Sequence, residues 1–406
     1  MTSFPGLGAP PFGFLQSAAW RAVLALLVVF VMLATTGWTA VRGHKDTGDP
    51  LASARTAWAH ATLRGRHLPD PLASPGVLAG FFASLGRVDR AALVTRYPLA
   101  VGNMSGAPLA LRYRANRIAL DQARAVERRR TADRRLTPVG RQEAAHLADR
   151  FAAMRASGRQ ILAFDPAGGG RAAEVFGDLA HARRVSVVVP GVDTNLSTFE
   201  RVERPMSAPA GMGRSLYAAE RAARPGTRTA VIAWADYTAP AGLGIEAVTG
   251  QLAAAGAVRL RALVDGLPRS AAVALFCHSY GSVVCGVAAR NGLPPTVRDI
   301  VVAGSPGMRV PNAAALHTRG RIWATRDADD WIQDVPYLEI GGIGHGADPV
   351  APGFGARVLS AAGAEGHAGY FVPGSGSLRN FALVGVGAFG GVTCAADDRY
   401  CAADLS

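Results

Sequence analysis

Ser279 stands in Cys277-His278-Ser279-Tyr280-Gly281, directly after the apolar run Ala271–Phe276 and before Ser282-Val283-Val284-Cys285-Gly286-Val287-Ala288-Ala289. A strand, a sharp turn and a helix with small residues on its first turns form the setting of a nucleophile elbow. Such a turn lifts the serine Oγ off the C-terminal edge of a sheet. The backbone N–H groups that follow, that of Tyr280 first, then stabilise an oxyanion at a helix N-terminus. The chemistry is nucleophilic acyl transfer. Glycine is usual two residues before the serine, where strand and helix approach closely, and Cys277 occupies that place here. The plain alternative is a tight turn whose serine only caps the helix.

A serine of this kind needs an acid and then a histidine later in the chain. Arg321–Thr325 reads as a strand ending in Arg326-Asp327-Ala328-Asp329-Asp330-Trp331. Asp330 and Asp327 both qualify to orient an imidazole, with Asp329 third. Arg357–Leu359 reads as the last strand, and His367 follows it in Ala364-Glu365-Gly366-His367-Ala368-Gly369-Tyr370. A histidine suits the role of base because it titrates near neutrality. His345, in Gly344-His345-Gly346-Ala347-Asp348-Pro349, precedes that strand and ranks lower. A second oxyanion donor is expected from the turn after Val185–Val189, Pro190-Gly191-Val192-Asp193-Thr194, with the Val192 N–H as the choice. The nine His lack zinc-ligand spacing with Cys or acids, so neither a metal nor any other cofactor is expected.

The elements that must position these residues begin near Arg159. Ile161–Phe164, Val185–Val189, Ala230–Trp234, Ala271–Phe276, Ile300–Ala303, Arg321–Thr325 and Arg357–Leu359 are short apolar runs, most of them bounded by Gly, Pro, Asp or Ser. Helix-compatible stretches at Arg171–Ala182, Arg214–Arg224 and Gly244–Asp265 separate several of them. Continuously apolar strands alternating with helices predict an α/β fold, a doubly wound and mostly parallel sheet over about residues 159–393. Ahead of it, residues 46–158 predict a helical, Arg-rich region, with a loosely packed connector up to Arg87.

With these motifs on hand, the chain resembles the actinobacterial alpha/beta hydrolases catalogued as a domain of unknown function, whose elbow usually reads G-H-S-Y-G. Matching stretches are Val101-Gly102-Asn103-Met104-Ser105-Gly106, Arg114-Ala115-Asn116-Arg117, Val189-Pro190-Gly191 and Trp234-Ala235-Asp236-Tyr237-Thr238-Ala239-Pro240. The elbow at 277–281, Gly304-Ser305-Pro306-Gly307, the His345 motif and His367-Ala368-Gly369-Tyr370 complete the set, which spans most of residues 85–390. The resemblance implies an alpha/beta-hydrolase fold and a Ser279–Asp330–His367 triad, since the family pattern favours the aspartate before Trp331. Cys277 departs from the family's glycine. The expected activity is that of a serine hydrolase acting on a small-molecule or lipid ester. The alternative is a catalytically silent hydrolase-fold module that binds a partner at the cell envelope.

Composition bounds the rest. The 406 residues are 49% hydrophobic and 18% charged, which excludes a disordered chain, and four Cys are too sparse for a disulfide-stapled scaffold. The net charge of +13 is carried almost wholly by Arg, Lys45 being the one lysine. Between Leu111 and Gln160, thirteen Arg face five acids, so +8 sits in one segment. Without aromatic interleaving or a zinc or RNA-binding signature it reads as a solvated helical face, and no nucleic acid is expected. Residues 22–41 run twenty positions without a charge, between Trp20-Arg21 and Arg42. Twenty apolar residues span a bilayer core, so residues 1–45 are expected to be a single-pass membrane anchor or, alternatively, a cleaved signal segment. In the tail, residues 394–406, Cys394 and Cys401 are expected either to close a disulfide or to remain two thiols. The first choice favours a catalytic domain outside the cytoplasm.

Overall fold

The apolar runs assemble into one eight-stranded sheet in the computed structural model, which describes residues 49–396, 398 and 401–405. Its strands are β1 Gln160–Asp165, β2 Arg171–Gly177, β3 Arg184–Val189, β4 Thr229–Ala235, β5 Ala272–His278, β6 Val297–Ala303, β7 Arg321–Thr325 and β8 Arg357–Val358. Their spatial order is β8-β7-β6-β5-β3-β4-β2-β1. Neighbours from β8 to β4 are parallel, and β2 runs antiparallel to both β4 and β1. The mostly parallel α/β sheet expected from the sequence is therefore present. The seven expected strands lie within three residues of their observed ends.

The stretch Arg171–Ala182, expected to be helical, is instead strand β2 followed by a turn. Its Ala172, Ala173 and Glu174 favour helix locally, but propensity yields to tertiary pairing. Here β4 offers an unpaired edge, and Ala172, Ala173 and Val175 are small or branched side chains buried on both faces. Glu174, also buried, is held by Arg159, with Nε–Oε1 at 2.7 Å and Nη2–Oε2 at 2.6 Å.

Ahead of the sheet lie α1 Pro50–Ala59, α2 Pro75–Ser84, α3 Arg87–Arg96, α4 Pro98–Gly102, α5 Leu109–Thr131 and α6 Pro138–Met154. Pro starts several of them, where the missing N–H costs nothing, and the Asp49 and Thr137 side chains cap α1 and α6. The connector is not loose. Trp58 and Phe82 are wholly buried, and the Trp58 ring lies 6.1 Å from Phe81 and 5.6 Å from Tyr97. Most arginines of α5 are exposed, as a solvated face requires, but Arg112 and Asn116 point inward. Their side chains donate to the carbonyls of Leu162 and Ile161 and so dock α5 on β1.

Four further helices cover the sheet: α7 Pro209–Ala223, α8 Gln251–Asp265, α9 Gly281–Arg290 and α10 Gly376–Val386. Alternation along β3 shows the two covered faces. Val185, Val187 and Val189 pack with α8 and α9, and Val188 packs with α7 and α10. The tail is fastened beside β8, where Cys394 and Cys401 are joined as a disulfide and Ala395 N donates to Val358 O. The expected membrane span at 22–41 lies outside the described residues. Among the described ones, no helix is long and apolar enough to cross a membrane.

Candidate active site

Between β5 and α9 the chain turns through Ser279 and Tyr280 alone. Ser279 has φ +54°, a left-handed conformation that a non-glycine residue holds at a cost of about 1–3 kcal/mol when its surroundings enforce it. Two hydrogen bonds do so: Ser279 N donates to Ala303 O at 3.0 Å, and Ser282 N donates to Ser279 O at 2.9 Å. The turn also needs two glycines. A Cβ on Gly281 would lie 2.2 Å from Val189 O, and one on Gly191 would lie 2.6 Å from Ser279 Cβ.

Cys277 does not crowd this junction as a free side chain. It is bonded to Cys285 in α9, eight residues on, so the sulfurs bridge the strand and helix that glycine would let approach. The sequence contains both cysteines, but their pairing depends on a strand-to-helix turn bringing them together. Spacing alone did not reveal it.

The acid and the histidine come from loops after β7 and β8. His367 Nδ1 lies 2.8 Å from Asp330 Oδ1. Asp330 is fully buried and also accepts from Tyr370 Oη at 2.5 Å and from Ile332 N at 2.9 Å. Burial alone would raise its pKa, yet the bonds from His367, Tyr370 and Ile332 prevail and hold it below the usual carboxylate value. Its carboxylate is therefore ionised and can hold an imidazole by its Nδ1–H. Asp327, the alternative acid, binds the loop rather than the ring, accepting from Gly366 N at 2.9 Å. His345, the alternative base, is buried on the other side of the elbow. It lies 2.7 Å from Ala247 O and meets the Tyr280 ring edge-on at 5.7 Å.

Two residues that the sequence reading passed over complete the arrangement. His278 Nε2 lies 2.7 Å from the His367 carbonyl, and the two rings are 4.8 Å apart. Burial, reinforced by His367, lowers the His278 pKa to about 3, so it is neutral and donates through Nε2–H. Tyr370 fixes Asp330 from the far side. The only sequence signal for it was its place three residues beyond His367.

Around Ser279 two backbone N–H groups stay unclaimed: those of Tyr280 and Val192 make no hydrogen bond among the described residues. The Gly191 Cα beside them is close enough that an added Cβ would stand 3.2 Å from Tyr280 N. Ser279 Oγ likewise has no hydrogen bond among the described residues, to His367 or to any other group. Catalytic hydrogen bonds are often long before substrate binds. Among the described residues no group of three or more His, Cys, Asp or Glu side chains is arranged to hold a metal ion.

A buried, mostly parallel sheet with a left-handed serine at a strand-to-helix turn, and an Asp–His pair on later loops, defines the alpha/beta hydrolase class. Residues 165–340 match the family model described as alpha/beta hydrolase. Its relatives include an uncharacterized protein of Mycobacterium tuberculosis, 27% identical over 384 residues, covering 79% of this chain and 57% of the relative. An uncharacterized protein of Mycobacterium bovis is 34% identical over 170 residues, covering 39% of this chain and 62% of the relative. The chain thus spans somewhat over half the length of these curated relatives. Among solved structures, an alpha/beta serine hydrolase without lid from Xanthomonas campestris is 12% identical, with TM-score 0.33, covering 57% of this chain and 94% of that one.

Proposed function

We propose that the chain is a serine hydrolase that cleaves carboxylic esters through an acyl-enzyme. Ser279 Oγ attacks the ester carbonyl carbon while His367 Nε2 takes the hydroxyl proton. Asp330, on the opposite ring nitrogen, holds the tautomer that leaves Nε2 free to accept. The Tyr280 and Val192 N–H groups receive the developing oxyanion. The proton on His367 passes to the leaving alcohol. Water, deprotonated by the same imidazole, then releases the acid and restores Ser279.

The observation that carries this reading is the pairing of buried Asp330 with half-buried His367, whose carbonyl is held by His278, the residue next to a serine in strained backbone. A labelled fluorophosphonate and p-nitrophenyl acetate test it. Covalent capture and turnover in the parent, both lost in Ser279→Ala, are expected. Turnover kept by that variant refutes it.

One observation favours the silent-module reading, namely the absence of a Ser279–His367 hydrogen bond. The departure from glycine at Cys277 does not favour it, since that residue is bonded to Cys285. No capture by the fluorophosphonate in folded protein would favour the silent module. We place the domain outside the cytoplasm, tethered through residues 22–41 or released after cleavage, and two disulfides support this.

A further inference from the structure

A cavity of about 450 Å³ lies away from Ser279, between the N-terminal helices and the edge of the sheet. Its volume is that of a small-ligand pocket. Arg55 of α1, Arg112 of α5, Trp234 of β4 and Leu263 of α8 line it, as do Leu72 and Ser105. None of Ser279, Asp330 or His367 does.

Several donors on the wall of this cavity keep an N–H without an acceptor among the described residues. Arg112 is 6% exposed, and its Nε and Nη2 donate to the Gly102 and Leu162 carbonyls. Its Nη1 has no partner, and no carboxylate among the described residues forms an ion pair with it. Burial lowers its pKa only to about 10, so at neutral pH it keeps its charge. Trp234 is 1% exposed, and its indole N–H has no acceptor among the described residues. Half-buried Arg55 also lacks an ion-pair partner among them. The two acids on the wall are already engaged: Asp236 binds Arg259 at 2.5 Å, and Asp265 binds Arg261 at 2.8 Å. Asp236 attracts both Arg112 and Arg55 but is shared with Arg259, so arginines outnumber the acids on this wall, and an incoming oxyanion relieves that excess of positive charge.

We propose that this cavity binds an amphipathic organic anion, its carboxylate or phosphate head on Arg112 and Arg55 and its apolar body along Leu72, Trp234 and Leu263. The site is separate from the ester-cleaving centre and does not depend on the assignment of that centre.

Calorimetric titration of the full chain with octanoate and with octyl phosphate tests the site, with 1-octanol and inorganic phosphate as probes of each half. One saturable site per chain is expected for at least one anion, tighter than for either half-probe. Preference between the two anions identifies the head group. Arg55→Ala should weaken binding about tenfold or more, the effect of one charge-assisted bond. Arg112→Lys, which keeps charge and bulk, should weaken it too. Ser279→Ala should leave the affinity unchanged. The proposal fails if neither anion saturates at millimolar concentration, if Arg55→Ala and folded Arg112→Lys both bind as the parent does, or if Ser279→Ala abolishes binding.

Discussion

His278, the residue before the candidate nucleophile, donates its Nε2–H to the carbonyl of His367, the candidate base, at 2.7 Å. The link joins the end of β5 to the loop after β8 and sets where the His367 ring stands. A positioning role of this kind acts on geometry, and a misplacement near 1 Å costs on the order of a hundredfold. His278→Ala should therefore lower kcat for p-nitrophenyl acetate about 10- to 100-fold with little change in KM. His278→Gln, which retains a donor at similar reach, should recover most of it. Unchanged kcat in His278→Ala, or a loss explained by a lower melting temperature, would count against this role.

Gly304 packs against the same pair from below. Its φ is +53°, and a Cβ there would stand 2.7 Å from Asp330 Oδ2 and 3.1 Å from His367 Nδ1. The neighbour that must yield is the Asp330 carboxyl, itself fixed by Tyr370 and Ile332 N. Gly304→Ala should cut kcat/KM by about a hundredfold, because the Asp–His bond is displaced. Backbone strain adds a stability loss of about 1 kcal/mol, read from the denaturant midpoint. A variant as active as the parent would mean that the pair is not needed as placed.

These two residues also mark the limit of what the sequence made legible. The parallel strands were readable because burial on both faces makes them continuously apolar, as in Val185–Val189. The elbow was readable because its strand, turn and helix are consecutive in the chain. Strand β2 was not, since Ala172, Ala173 and Glu174 carry a helical preference that only pairing with β4 overrides. The partners His278 and Tyr370 were not singled out, because their roles depend on loops that meet only in the folded sheet. Arg112 looked like one more arginine of a basic helix, whereas its neighbours in space set it apart.

The Cys277–Cys285 bridge closes a short loop through the elbow. Cross-linking over such a loop removes chain entropy from the unfolded state, stabilising the fold by roughly 2–3 kcal/mol. The double substitution Cys277→Gly with Cys285→Ala should lose about that much in denaturant unfolding. It should keep esterase activity in folded protein, because glycine meets the close approach of strand and helix without a bridge. Inactive yet fully folded double variant would show that the disulfide itself shapes the elbow.

Glu220 gives a pH dependence that is independent of catalysis. It is fully buried on α7, with its carboxyl accepting from Ser186 Oγ and Thr229 Oγ1 and with α10 packed over it at Gly385. Burial raises its pKa from 4.5 to about 7, only partly offset by the two hydroxyls and Arg184. Below pH 4.5 both folded and unfolded chains carry the proton, so this group adds no slope. Between 4.5 and about 7 the unfolded chain releases the proton while the folded one retains it, and stability falls as pH rises. Above that window the loss is complete, at roughly 3 kcal/mol for a shift of this size. Glu220→Gln keeps the shape and the hydroxyl bonds but has no proton to lose. Denaturant midpoints at pH 5 and pH 8 should therefore show a parent less stable at pH 8 and a variant with that part of the slope removed. Parallel pH profiles for the two proteins would show that Glu220 does not titrate in this range.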